Sequence, residues 1–192
     1  MDDSYSQNHL AGYISFAADE RDLNRIPAYP DPIFNENTDV VDSLEAVRNF
    51  LYILDPSDFG SKQGLIQAVT ATNYDLLIMD LFWESEVFSP AEVLALRQKA
   101  NGGKRLLLAY MSIGEAEDYR YYWDPGWKNQ PPVWLDQENP AWKGNFKVRY
   151  WEPEWQSIIF GNDSSYVKQI LDAGFDGVYL DIIDAFEFYE GQ

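Results

Sequence analysis

Apolar runs that end in carboxylates recur along this chain, and that recurrence most narrows what it can fold into. LYILD (51–55), YDLLIMDLFW (74–83) and KRLLLAYMSIGEAED (104–118) are continuous and apolar, with acids at or just past their ends. FKVRYW (146–151) and GVYLD (177–181) extend the series to five. Stretches of helical spacing precede the first run, at 39–50, and separate the later ones, at 61–71, 89–100, 154–160 and 164–173. Val178, Tyr179 and Leu180 are apolar on both sides of the alternation, the mark of a strand covered on both faces. Strands that alternate with helices make a parallel sheet, and right-handed crossovers put all its carboxyl ends on one face.

The expected fold is therefore α/β, a (β/α)8 barrel of which about the first five strands are present. Such a barrel usually takes about 250 residues, and this chain has 192. The remaining strands are expected in a longer domain, with self-association across the open side as the alternative. Residues 1–11 read as a polar, poorly ordered N-terminal arm and 12–50 as an extension packed on the barrel. Residues 51–192 then form the N-terminal portion of the barrel domain. Residues 11–16, at the junction of arm and extension, read as a short strand, and 39–50 as a helix. Ser89-Pro90-Ala91-Glu92 has the pattern of a capping box, and Asn101-Gly102-Gly103 and Gly174 read as helix stops.

The 14 basic residues against 32 acidic ones leave a net charge of −18, which disfavours a nucleic-acid partner and suits a cationic or neutral one. Without cysteine there is no disulfide framework or thiol nucleophile, and the single histidine, His9, lies in the polar arm. A His-based triad or zinc site has no material. Neither phosphate-loop glycine pattern occurs, nor does a calcium-loop pattern, so no cofactor or metal is implied. No apolar run has the length of a membrane span. Aromatic residues are abundant, with 13 Tyr, 11 Phe and 7 Trp, more than a core needs, and a sugar-binding cleft would use them as stacking surfaces.

The strand ends collect the candidates. Asp181, at the end of the last strand, leads them as the catalytic residue: it stands where such sheets carry their chemistry, with capping of the next helix or holding of a loop as the alternative. Asp80, Tyr110, Glu115, Asp118, Trp151 and Asp184 are expected to bind substrate. Asp80 interrupts an apolar strand and needs a partner if buried. Glu115 follows its strand closely, whereas Glu117 reads as a solvated loop residue. Trp134 and Trp142 read as packing residues, and Trp151 as facing the cleft. Several carboxylates sharing one cleft shift each other's titration, as acid–base chemistry requires.

YDLLIMDLFW, LLLAYMSIGEAEDYRYYW, VRYWEPEWQ and GFDGVYLDIIDAFEFYE resemble the extracellular proteins related to endo-alpha-1,4-polygalactosaminidase, glycoside hydrolase family 114. The resemblance runs from about Gly12 and implies a (β/α)8 barrel and an extracellular or cell-surface location. It also implies hydrolysis of an alpha-1,4-linked, galactosamine-containing polysaccharide. Asp181 corresponds to the family's catalytic aspartate, while the family's catalytic glutamate comes from a later strand, which this sequence does not reach. A non-catalytic carbohydrate-binding barrel is the alternative.

Overall fold

Four parallel strands make the main sheet of the computed structural model, which describes residues 2–190. In chain order the regular elements begin with helix α1 (Asp2–Leu10), strand β1 (Phe50–Ile53) and α2 (Lys62–Thr70). Strand β2 (Leu76–Asp80) follows, then the two-residue strands β3 (Phe82–Trp83) and β4 (Glu86–Val87), α3 (Pro90–Leu96) and β5 (Leu106–Ser112). A three-stranded antiparallel excursion comes next, built of β6 (Glu115–Glu117), β7 (Leu135–Glu138) and β8 (Asn145–Val148). Helices α4 (Pro153–Ile159) and α5 (Tyr166–Ala173), strand β9 (Gly177–Asp181) and α6 (Ala185–Glu190) complete the series. The main sheet runs β1-β2-β5-β9.

Period-two alternation gives this sheet two different faces. Leu51, Ile53, Leu77, Met79, Leu107, Ala109 and Met111 point to the helices and pack with Leu65, Val69, Val93, Leu96 and Ile170. Leu76, Ile78 and Leu106 point the other way, into a smaller cluster with Val41, Val47, Tyr52 and Leu108. That second face is concave. Tyr52 and Tyr179 belong to the two edge strands, yet their ring centroids lie 5.3 Å apart. Three interstrand steps of about 4.8 Å would set those edges about 14 Å apart on a flat sheet. The sheet has to curl for the rings to meet, in the sense of a barrel wall.

The local signals for the helices hold. Ser89 accepts from Glu92 N and Glu92 takes a bond from Ser89 N in return, so the capping box closes with Pro90 at the first turn. Gly174 ends α5 in the left-handed conformation at φ 92°. Several expectations fail. Residues 2–10 are helical, and Tyr5 is buried against Tyr29 and Phe34. No strand forms at 11–16. The 39–50 helix shrinks to one 3-10 turn, Leu44–Ala46. Its start pairs with Lys104 instead, through Val41 N to Lys104 O and Lys104 N to Asp39 O. Its end is drawn out by Asp75, which takes Arg48 N. Tertiary pairing outweighs helical spacing there.

The fourth of the five expected parallel strands is also corrected. FKVRYW contributes β8, which pairs antiparallel with β6 and β7 outside the main sheet. The main sheet thus has four parallel strands, and no closed barrel is formed among the described residues. Nor is β9 covered on both faces. It is an edge strand, with Tyr179 and Leu180 39% and 41% exposed.

At the amino ends of the strands a buried polar hub ties the extension to the sheet. Asp75 and Lys99 are fully buried and 2.6 Å apart. The other Asp75 oxygen accepts from Arg48 N and Asn37 Nδ2, both at 2.9 Å. Asn49 Oδ1 accepts from Asp75 N at 2.8 Å. Removing the carboxylate leaves the buried Lys99 charge without its counter-ion, held only by the Asn37 oxygens at 3.0 and 3.3 Å, and takes from Arg48 N its acceptor. We expect Asp75→Ala to cost roughly 3–5 kcal/mol, against about 1 kcal/mol for the cap variant Ser89→Ala. Urea unfolding of both variants measures the contrast, and equal losses would refute it.

Candidate active site

The concave face carries a row of polar side chains at its carboxyl rim. The register sets Asp80 beside Tyr110, Tyr110 beside Tyr179, and Ser112 beside Asp181. Tyr110 Oη donates to Asp181 Oδ2 at 2.7 Å. Burial, then the Glu117 charge and the bond to Asp181, push the Tyr110 phenol far up, so it stays a donor. Tyr52 is pushed up as well, by burial and then by Tyr179 and Asp181. The backbone of Asp181 is tied to β5 through Ile113 N, which donates to its carbonyl at 3.1 Å.

The chain turns sharply after Asp181. Ile182 has φ 56°, a left-handed conformation that a β-branched residue adopts only when its surroundings impose it. Gly114 is one of those surroundings. A Cβ there would overlap Ile182 O and lie 2.6 Å from Ala185 Cβ, so only glycine lets the two turns meet.

Beside this row, Arg120 joins two carboxylates. Its Nη1 and Nη2 bind the two Asp80 oxygens at 2.9 and 2.7 Å, and Nε binds Glu117 Oε2 at 2.5 Å. Tyr119 Oη donates to Glu117 Oε1 at 2.6 Å. The guanidinium also lies over the rings of Tyr119, Phe82 and Tyr166 at 5.0–5.6 Å. Burial pushes the Glu117 carboxyl up while Arg120 and Tyr119 pull it down. The two carboxylates push the Arg120 guanidinium up, against burial.

Asp80 and Arg120 form one wall of a cleft of about 470 Å³ at the carboxyl ends of β1 and β2. Asp55, Ser57, Trp83, Glu84 and Tyr119 are among its other lining residues. The size is that of a small-ligand site. A second groove of about 560 Å³ is almost wholly apolar and runs between β9 and helices α4–α6. Among the described residues no group of three His, Cys, Asp or Glu is arranged to hold a metal ion.

Of the residues singled out by sequence, Asp80, Tyr110 and Asp181 share the rim. Glu115 and Asp118 do not join it. Glu115 is buried in the antiparallel excursion, accepting from Asn139 at 2.8 Å with Lys147 at 3.4 Å. Asp118 pairs with Lys128 and packs on Gly144. Trp151 follows β8 in a turn, 45% exposed, in an aromatic group with Tyr150 and Tyr189. Asp184 is exposed just before α6. Glu117, expected in solvent, is buried because Arg120 neutralises it. Trp134 packs as expected, but Trp142 is half exposed beneath Arg21. Arg120 and Gly114 belong to the site although the sequence pattern does not single them out. The spacing Glu117-x-x-Arg120 is the available signal for the first.

Residues 37–192 match the sequence model of Glycoside-hydrolase family GH114. The chain belongs to this family. Uncharacterised relatives occur in Methanocaldococcus jannaschii (42% identical over 127 residues, 65% of this chain and 34% of the relative) and Deinococcus radiodurans (40% over 133 residues, 69% and 41%). The GH114 chain thus spans less than half the length of these curated relatives. Among solved structures it is similar to Aspergillus fumigatus Ega3 in complex with galactosamine, with TM-score 0.45 and 22% identity over 62% of this chain and 41% of that one. The glycoside hydrolase domain of PelA from Pseudomonas aeruginosa gives TM-score 0.44 and 19% identity, covering 72% of this chain and 45% of that one. No helix among the described residues is long and apolar enough to cross a membrane.

Because Arg120 is 4% exposed and bonded to two acids, its loss strands both. Arg120→Met should cost roughly 3–5 kcal/mol of stability. In an Asp80→Asn/Glu117→Gln background the same change should cost far less. Chemical denaturation of the four proteins reads this, and equal costs in both backgrounds would contradict it.

Proposed function

We propose that the full-length GH114 protein is a glycoside hydrolase acting on an alpha-1,4-linked, galactosamine-containing or similar extracellular polysaccharide. Asp181 is its catalytic carboxylate, serving as nucleophile or general base. The observation that carries this reading is the position of Asp181, at the carboxyl end of β9 on the concave face with one oxygen held by Tyr110. The curl of the sheet supports the finer fold, a sector of a (β/α)8 barrel within residues 51–192, on which residues 12–50 pack. In such barrels the strand ends are where catalysis occurs.

The neighbouring cleft supports the substrate class. Asp55 and Glu84 supply negative charge, Asp80 being bound to Arg120, and Trp83 an aromatic surface, a combination suited to sugars that carry protonated amines. The net charge of −18 draws a polycation toward the molecule. Asp80 shapes the cleft from its bond to Arg120, while Trp151 and Asp184 are assigned to more distant sugar contacts. Glu115 and Asp118 are assigned to holding the excursion. Hydrolysis uses two carboxylates, and the family resemblance gives the proton donor to a glutamate on a later strand. An extracellular or cell-surface location belongs to the same proposal.

Asp181→Asn in the full-length protein, assayed by release of reducing ends from polygalactosamine, should lower turnover by at least about 100-fold. Its melting temperature and glycan affinity should stay unchanged. Undiminished turnover would defeat the assignment of Asp181. Glycan binding without any turnover by the unsubstituted protein would instead favour a non-catalytic carbohydrate-binding barrel.

A further inference from the structure

Tyr110 is a buried residue of the rim whose one hydroxyl proton is given to a side chain of the protein: it donates to Asp181 Oδ2 at 2.7 Å. That side chain is the carboxylate assigned to catalysis. We infer that Tyr110 is a positioning residue: it fixes the rotamer of Asp181 and leaves Oδ1 as the oxygen presented to the sugar. This inference rests on the assignment of Asp181 above and deepens it.

Three features suit Tyr110 to that task. It stands on an inner strand of the sheet, between Asp80 on β2 and Tyr179 on β9, and a group borne on a strand is held more tightly than one on a loop. Its hydroxyl is kept protonated by burial and by the negative charge of Glu117, so it can only donate toward a carboxylate. The backbone of Asp181 is separately fixed by Ile113 N, and the turn behind it by the contact of Gly114 with Ile182. With the main chain anchored, the side-chain torsions are the remaining freedom, and the Tyr110 bond removes them. The arrangement resembles in logic the buried aspartate that orients a catalytic histidine in a triad.

The test compares four full-length proteins on polygalactosamine: unsubstituted, Tyr110→Phe, Asp181→Asn and the double variant. Turnover, KM and equilibrium glycan binding are measured on each, with melting temperature as the control for folding. Tyr110→Phe removes one oxygen and should lower kcat by about ten- to a hundredfold, the range for a hydrogen bond to a charged group. KM and glycan affinity should stay within about twofold. On the Asp181→Asn background the same substitution should lower turnover no further, since the carboxylate it positions is gone. A raised KM with kcat preserved would make Tyr110 a substrate contact and overturn the inference. Equal losses in the presence and absence of Asp181 would show a role unrelated to it and overturn the inference too. Full turnover by Asp181→Asn would overturn the catalytic assignment itself, an outcome distinct from either of these.

Discussion

The candidate site depends on the register in which β9 pairs with β5. Slip that pairing by one residue and the period-two alternation would swing Asp181 and Tyr179 from the concave face to the helix face. Several bonds exclude the slip. Asp176 N donates to Leu107 O at 2.9 Å, and the Asp176 side chain accepts from Leu107 N at 2.8 Å. Arg97 holds that same carboxylate at 2.7 Å. Opposite Leu108 stands Gly177, where a Cβ would lie 3.2 Å from the leucine side chain. The pair Asp176-Gly177 is thus a register lock at the strand's start, and its consequence is felt at the far end, where Asp181 meets Tyr110.

The two ends of the sheet solve different electrostatic problems. At the amino ends, Asp75 and Lys99 are fully buried and each charge is matched by the other, which fixes residues 37–48 against the sheet. At the carboxyl ends the acids outnumber the bases. Arg120 neutralises one equivalent of Asp80 and Glu117 together, and Asp181 keeps a phenol rather than a cation as its partner. In the proposed reading a cation there would compete with a protonated amino sugar for the carboxylate, whereas a neutral donor does not.

Much of the sheet is legible in the sequence because its information is local. LYILD, LLIMD, LLLAYM and GVYLD declare themselves by unbroken apolar runs, and Ser89-Pro90-Ala91-Glu92 by the chemistry of its side chains. The failures share one cause, in that they concern segments whose conformation is decided by distant partners. Val41 follows Lys104 and Arg48 follows Asp75, so the helical spacing of 39–50 is overridden. FKVRY joins β6 and β7 rather than β5, and nothing in its own pattern distinguishes the two choices. At the site, Asp181, Tyr110 and Asp80 are legible as strand ends. Glu117 is not, because a carboxylate in a run of polar residues looks solvated until Arg120 is placed on it.

In the proposed function the glycan is cleaved at the concave rim beside Asp181. A crystal structure of the full-length Asp181→Asn protein with a bound galactosamine oligosaccharide would show where it sits. A glycosidic bond is expected within about 3–3.5 Å of the substituted side chain at position 181, the reach of a reacting pair, with neighbouring sugars extending toward Trp83 and Asp80. An oligosaccharide seated in the apolar groove between β9 and α4–α6, with the rim empty, would contradict it.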